Sequence, residues 1–380
     1  MNFHPIPLSL YIHVPWCIKK CPYCDFNSHA QQGELPEKAY INQLLFDLDT
    51  QLQFVQNRVI HSIFIGGGTP SLFSPEAYAV LFAGLKQKLT FSDQIEITLE
   101  ANPGTLVPNR FEGYLAAGIN RISLGVQSFQ AEKLVTLGRI HNPIQAKNAF
   151  LSAKSAGFEK INIDLMFGLP NQTIEDALFD LQSAMDLSPN HISWYQLTLE
   201  PNTYFHRFPP ALPDDDVRFD IQQAGQRYLA DNGFQQYEIS AYGKNGFQSQ
   251  HNMNYWLFGD YLGIGAGAHA KFTDIQTKNI IRRSNTKHPK QYLSADEQKL
   301  FENKIITRAE LPLEFMMNVL RLYQPIVFAL FETRTGLSIA TIEKQLHHAA
   351  QDGLLTLNDT AFQITAKGSL FLNDLLERFL

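Results

Sequence analysis

Tyr11-Ile12-His13-Val14-Pro15-Trp16-Cys17-Ile18-Lys19-Lys20-Cys21-Pro22-Tyr23-Cys24-Asp25-Phe26 decides how the chain is read, because it contains all three cysteines among 380 residues. The spacing C-x-x-x-C-x-x-C on one short loop brings three thiolates to a common point. Three thiolates with no fourth suit an iron–sulfur cluster that keeps one iron without a protein ligand. A structural zinc site wants four ligands, and His13 or His29 would complete a Cys3His set. Zinc ligand pairs, however, normally come from two separated halves of a sequence. A disulfide framework would leave one cysteine over. Upstream, Leu8 to Val14 alternates and is rich in β-formers, so the loop leaves the C-terminal end of a strand, where barrel enzymes place their chemistry.

Working outward, the pattern predicts helices over about Pro36 to Phe54, Pro75 to Leu89, Asn109 to Ala117, Pro143 to Ala156 and Ile174 to Met185. They alternate with strands at Val59–Ile65, Glu96–Glu100, Arg121–Val126, Lys160–Met166 and His191–Leu197. Strands separated by helices of this length imply parallel βαβ units, and six of them predict an α/β partial (β/α)6 barrel. Gly66-Gly67-Gly68-Thr69 follows the second strand. A glycine cluster there lets the backbone approach a ligand closely and present N–H groups, although a tight turn is the commoner use. Glu100, Gln127, Arg139 and Asp164 lie at or near strand C-terminal ends, so all face one mouth of the barrel.

The cysteine loop, with Tyr23 before its last cysteine, resembles the signature of the radical S-adenosylmethionine (SAM) superfamily. The separations of the later motifs resemble the oxygen-independent coproporphyrinogen III oxidase branch of it. That resemblance implies a partial TIM-like barrel in which Cys17, Cys21 and Cys24 hold a [4Fe–4S] cluster. It also implies that Tyr11, Tyr23, Gly67, Gly68, Thr69, Glu100, Gln127, Arg139 and Asp164 contact SAM. Two departures from the oxidase pattern matter: Phe26 stands where that pattern has a further cysteine, and Cys17 lies too near the start for an N-terminal arm. Both features, with His251-Asn252-Met253-Asn254-Tyr255-Trp256, resemble the haem-chaperone members of the branch. There the resemblance implies haem bound at His251, Tyr255 and Trp256 and passed to an acceptor protein, in respiration or at a membrane. Oxidative decarboxylation of coproporphyrinogen III is the alternative, so enzymatic activity stays open at this point. An imidazole beside two flat aromatic faces is chemically apt for an iron porphyrin. No C-x-x-C-H run exists for thioether attachment.

Three units are expected: a barrel over residues 1–235, an extension over 236–300 carrying the histidine–aromatic motif, and a helical, winged-helix-like domain over 301–380. Gly263-Ile264-Gly265-Ala266-Gly267 reads as close packing in preference to a phosphate loop. Asp214-Asp215-Asp216 reads as a helix start. From Arg334 onward four basic residues (Arg334, Lys344, Lys367, Arg378) meet five acidic ones (Glu343, Asp352, Asp359, Asp374, Glu377), so the wing does not resemble a nucleic-acid reader. A net charge of −6 gives no general attraction to phosphate backbones or anionic lipid. No apolar run approaches the ~20 residues of a membrane span. Met1 to Pro7 lacks a basic n-region, so no secretory signal is expected. Reduced thiolates on a labile cluster point to the cytoplasm, and a monomer or weak homodimer is expected.

Overall fold

The computed structural model describes residues 6–105 and 109–380. The expectation of no secretory signal falls mainly on residues 1–5, outside the described residues. Six parallel strands form the central sheet: β1 (Leu8–Val14), β2 (Ile60–Gly67), β3 (Phe91–Ala101), β4 (Arg121–Gln127), β5 (Lys160–Phe167) and β6 (His191–Gln196). The helices between them are α1 (Glu37–Asp49), α2 (Pro75–Lys88), α3 (Arg110–Ala117), α4 (Pro143–Ser155) and α5 (Ile174–Met185). Their starts are written locally. Ser74 accepts from Ala77 N with Pro75 at the first helical position, and Asn142 and Thr173 form capping boxes with Gln145 and Asp176. Asp214 caps α6 (Asp215–Asp231), as the acidic run implies.

Most of β1 is buried on both faces, as expected of a strand with helices outside and a filled lumen inside. What fills the lower lumen is the short helix α7 (Gln250–Trp256). Its first N–H donates to Glu96 Oε1 at 2.8 Å, and Arg121 Nη1 donates to Phe247 O at 3.1 Å.

The sheet is wider than six strands. On the β6 side β8 (Ala241–Gly243) and β7 (Gln235–Glu238) add antiparallel. On the β1 side β9 (Asp260–Ile264) pairs parallel, followed antiparallel by β10 (His269–Thr273), β11 (Ile280–Asn285) and β12 (Phe301–Ile305). The order is β12-β11-β10-β9-β1-β2-β3-β4-β5-β6-β8-β7. Residues 260–285, read from sequence as part of an extension, are thus strands of the main sheet. Their pattern is obscured by glycines: a Cβ at Gly265 would lie 2.3 Å from His13 O, and one at Gly267 would lie 2.3 Å from Asn27 Nδ2. The G-x-G-x-G run is therefore the surface on which β1 and the cysteine loop rest.

Asp260 anchors this seam, accepting from Arg58 Nη1 at 2.7 Å and Lys271 Nζ at 2.8 Å with all three side chains nearly inaccessible. Burial pushes its carboxyl up, but Lys271 and Arg58 outweigh that and lower the net value.

Beyond the sheet, α8 (Leu311–Val319), α9 (Phe328–Thr335) and α10 (Glu343–Gln351) pack with three short antiparallel strands, Ile326–Val327, Ala361–Ile364 and Leu355–Leu357. This winged-helix-like unit has its own apolar core around Phe315, Met316 and Phe331. Among the described residues no helix is long and apolar enough to cross a membrane.

Candidate cofactor site

The cysteine loop begins where β1 ends. Trp16–Cys17 and His29–Ala30 pair as two short parallel strands, which returns the chain beside its own start and makes residues 18–28 a closed loop. Cys24 N donates to Cys21 O at 3.2 Å, a turn that turns the last two thiols to one side. The glycine segment fixes the other wall: Gly68 N donates to Val14 O and Thr69 N to Trp16 O. Only glycine allows this approach, because a Cβ at Gly68 would lie 2.5 Å from Trp16 O. Gly67, at φ +114°, would set a Cβ 2.5 Å from the His13 ring. His13 in turn donates from Nε2 to Asn27 O at 2.8 Å and accepts at Nδ1 from Tyr11 Oη at 2.9 Å, which pins the far end of the loop.

These walls enclose a cavity of about 310 Å³. Cys17, Cys21 and Cys24 line it and form no disulfide. Burial raises the Cys17 and Cys24 thiols above their ordinary values. Arg139 Nη1 lies 3.6 Å from Cys21 Sγ while its Nη2 donates to Gly125 O, so a fixed cation stands beside one sulfur. Among the described residues no trio of His, Cys, Asp or Glu, these cysteines included, is gathered for a single ion. Thiolates sharing one tetrahedral zinc at ~2.3 Å would lie within ~4 Å of each other. Three thiols spread around a cavity with no fourth cysteine fit a cluster of several irons with one position open.

Opposite the thiols are two buried carboxylic acids. Glu100 Oε2 accepts from Gly67 N at 3.2 Å, and burial first, then the charge of Asp164, push its carboxyl up to about 8. Asp164 is raised by burial to about 6 although Ser123 Oγ and Asn162 Nδ2 donate to it at 3.0 and 2.6 Å. Two acids raised by burial, one of them also by the charge of the other, form a site in which a cationic ligand would favour the ionised forms.

Of the expected SAM contacts, Tyr23, Gly67, Gly68, Thr69, Glu100, Gln127, Arg139 and Asp164 all line this cavity. Gln127 ends β4 with a left-handed backbone, φ +71°, and accepts from Tyr195 Oη at 2.7 Å. Tyr11 does not line the cavity; its hydroxyl is committed to His13 behind the wall. Asn162, Ser123, Ser193, Tyr195 and His191 do line it and were not anticipated. Their signal is period two. Arg121, Ser123, Gly125 and Gln127, then Asn162 and Asp164, then His191, Ser193 and Tyr195 occupy alternate positions on β4, β5 and β6, so their side chains share the lumen face.

The structure places the expected haem residues on α7. His251 is 1% exposed; its Nδ1 lies 3.0 Å from Ser62 Oγ and its Nε2 2.8 Å from Tyr255 Oη. Ser62 continues the chain to Ser9 at 2.8 Å. Burial lowers the imidazole to about 3, so it is neutral, and both ring nitrogens have hydrogen-bond partners in this conformation. Four residues apart on α7, His251 and Tyr255 face the lumen together. Trp256 turns the other way, under Arg321 at 4.4 Å and against the core of the C-terminal unit. In this conformation the motif plugs the barrel and joins it to the C-terminal unit.

The chain matches the radical SAM superfamily over residues 11–182 and the HemN C-terminal domain over residues 306–371. It is 55% identical to the heme chaperone HemW of Haemophilus influenzae and 50% identical to that of Escherichia coli, each comparison covering 98% of both chains. Among solved structures it resembles coproporphyrinogen III oxidase (HemN) of Escherichia coli, described as a radical SAM enzyme. The TM-score is 0.83 at 25% identity, covering 99% of this chain and 90% of that one. Radical SAM proteins carry a [4Fe–4S] cluster and SAM, which suits the three-thiol loop and the polar wall facing it. With a cysteine loop of this geometry and relatives of this identity over nearly its whole length, the chain belongs to the HemW family of the radical SAM superfamily.

Proposed function

We propose that this protein is a cytoplasmic haem chaperone that holds a SAM-ligated [4Fe–4S] cluster and passes haem to an acceptor protein of respiratory metabolism. The observation that carries the cofactor half is the three-thiol loop opening into a cavity walled by Glu100, Asp164 and Arg139. Cys17, Cys21 and Cys24 hold the cluster, and Arg139 Nη1 lies against Cys21 Sγ beside it. Gly67 and Gly68 bring backbone to the cavity wall. Glu100 and Asp164 accept from the ligand's ammonium or hydroxyl groups. Gln127, Thr69 and Tyr23 complete the wall. When bound, SAM supplies a sulfonium that a single electron can cleave. The haem half rests on the relatives, named heme chaperones, that the chain matches from end to end.

The functional units proposed are the barrel over residues 1–235, the segment 236–300 and the winged-helix-like unit over 301–380. The protein acts as a monomer or weak homodimer and has no nucleic-acid partner.

Oxidative decarboxylation of coproporphyrinogen III is the second reading, favoured by the TM-score of 0.83 to that enzyme. The deciding experiment is anaerobic incubation of cluster-replete protein with coproporphyrinogen III, SAM and a strong reductant. No conversion, together with transfer of bound haem to an apo-acceptor, is the expected result. Protoporphyrinogen formation would overturn the chaperone reading.

A further inference from the structure

The cavity continues past Glu100 and Asp164, toward the N-terminal ends of the strands, to a floor that the cofactor contacts leave unused. Arg121 lines it two positions before Ser123 on β4. Thr98, on β3, also lines it and lies beside Arg121 in the parallel register, about 4.8 Å away from strand to strand. The two residues are 2% and 1% exposed.

Around them the polar groups are matched to one another. Burial, and then the charge of Arg121, push the His191 imidazole well below its ordinary value, so it is neutral. Its Nδ1 donates to Asn162 Oδ1 at 2.6 Å, and its Nε2 accepts from Tyr237 Oη at 2.7 Å. Tyr237 Oη in turn accepts at 3.2 Å from the backbone N–H of Ser249, the residue that caps α7. Asn162 Nδ2 joins the other end of this chain to Asp164. A satisfied chain of this kind holds the walls in fixed places.

Two groups stand outside it. Arg121 Nη2 and Thr98 Oγ1 are buried and have no hydrogen-bond partner among the described residues. Buried polar groups are nearly always paired, so an open guanidinium arm beside an open hydroxyl marks the place of an acceptor that the chain itself does not supply. Charge gives its sign and size. Glu96 Oε2 lies 3.5 Å from Arg121 Nη1 and 3.2 Å from Lys160 Nζ, so two cations face one carboxylate and one positive charge is left over. A monoanion balances that charge, and the two open donors suit the two oxygens of a carboxylate.

We propose that Arg121 and Thr98 form a carboxylate-binding subsite on the floor of the cavity, apart from the SAM contacts at Glu100 and Asp164. Two sources carry this chemistry. One is a propionate of haem seated against α7, whose Asn252 lines the same cavity, and this source rests on the haem-chaperone reading. The other is a free small acid.

The test uses the full chain with its cluster reconstituted, under anaerobic conditions. In one arm it is titrated with ferric haem and with haem dimethyl ester, whose propionates are neutral, and followed by absorption. In the other its thermal melt is recorded in sodium propionate against equal sodium chloride. If haem supplies the carboxylate, wild-type protein binds haem about tenfold or more tightly than the ester. Arg121→Gln then nearly removes that preference and Thr98→Val reduces it. If a small acid supplies it, haem and ester bind alike, and sodium propionate raises the melt of the wild type and not of the variants. In either case iron–sulfide content and the SAM affinity of Thr98→Val stay at wild-type values. Should Arg121→Gln melt early, Thr98→Val, which keeps the side-chain shape, decides both arms. The absence of a variant-dependent effect in both arms overturns the subsite. Loss of SAM affinity in Thr98→Val does so too, because the carboxylate is then the cofactor's own. Failure to bind haem in either form, with the sodium propionate effect present, overturns the haem-chaperone reading and leaves the subsite standing.

Discussion

Glu100 allows a quantitative test of the cofactor site. With its carboxyl held up to about 8 by burial and then by Asp164, it is only roughly 1% ionised at pH 6 and about half ionised at pH 8. A cationic ligand that binds the ionised form must drive off the proton below pH 8. The SAM dissociation constant is therefore expected to fall about 50-fold between pH 6 and pH 8, approaching tenfold per pH unit at the acid end. Glu100→Gln, which keeps an oxygen for Gly67 N, removes that slope and retains whatever pH dependence comes from the ligand's own amino group. Asp164→Asn removes the second cause of the shift and moves the inflection to lower pH. Binding is read by calorimetry on cluster-replete protein in two buffers of different ionisation enthalpy, which also counts the proton released. A wild-type affinity that is flat over this range, or a slope that survives in Glu100→Gln, would refute the reasoning. The same shift acts on the cofactor-free fold with the opposite sense. Native Glu100 holds a proton that the unfolded chain loses above its ordinary value of 4.5, so this group's contribution to stability falls as pH rises from about 4.5 to about 8.

Four further outcomes are expected. Anaerobic reconstitution should load about four iron and four sulfide per chain, and replacing Cys17, Cys21 or Cys24 by Ala should abolish this in iron and sulfide assays. Gly68→Ala sets a Cβ 2.5 Å from Trp16 O and should cost cluster loading while circular dichroism stays native. His251→Ala leaves the buried hydroxyls of Ser62 and Tyr255 without their partner and should destabilise the fold by about 1–3 kcal/mol in denaturant melts. Asp260→Ala leaves Arg58 and Lys271 buried and unpaired, so a loss of about 3–5 kcal/mol is expected by the same measurement.

The parallel half of the fold is legible in the sequence because each βαβ unit is marked locally. Pro75 behind Ser74, Pro143 behind Asn142 and Thr173 with Asp176 announce helix starts within a residue, and the strands between them alternate apolar with lumen-facing polar residues. The cysteine loop is legible for a different reason: cluster ligation needs one residue type at fixed spacing. The strands at residues 260–285 are harder to read. Their identity as sheet comes from pairing with β1, some 250 positions away, and Gly263, Gly265 and Gly267 are chosen for what packs on them and not for β propensity. The surroundings of His251 are hard to read for a related reason. A histidine with two aromatic neighbours looks the same in one dimension whether it faces a ligand or Ser62, and only the i, i+4 relation of His251 to Tyr255 hints that the two meet on one helix face.

The arrangement also bears on whether SAM is incidental to this protein. A carrier that needed only an iron–sulfur cluster for structure would gain stability from apolar residues at Glu100 and Asp164. Here two acids lie within reach of each other's charge, each pushed up by burial. Arg139 lies against Cys21 with its Nε unpartnered, a further polar group whose hydrogen bonds the protein alone leaves incomplete. A ligand carrying both positive and negative groups would offset costs of this kind, and a zwitterionic sulfonium amino acid has both. The polar wall and the thiol loop line one cavity.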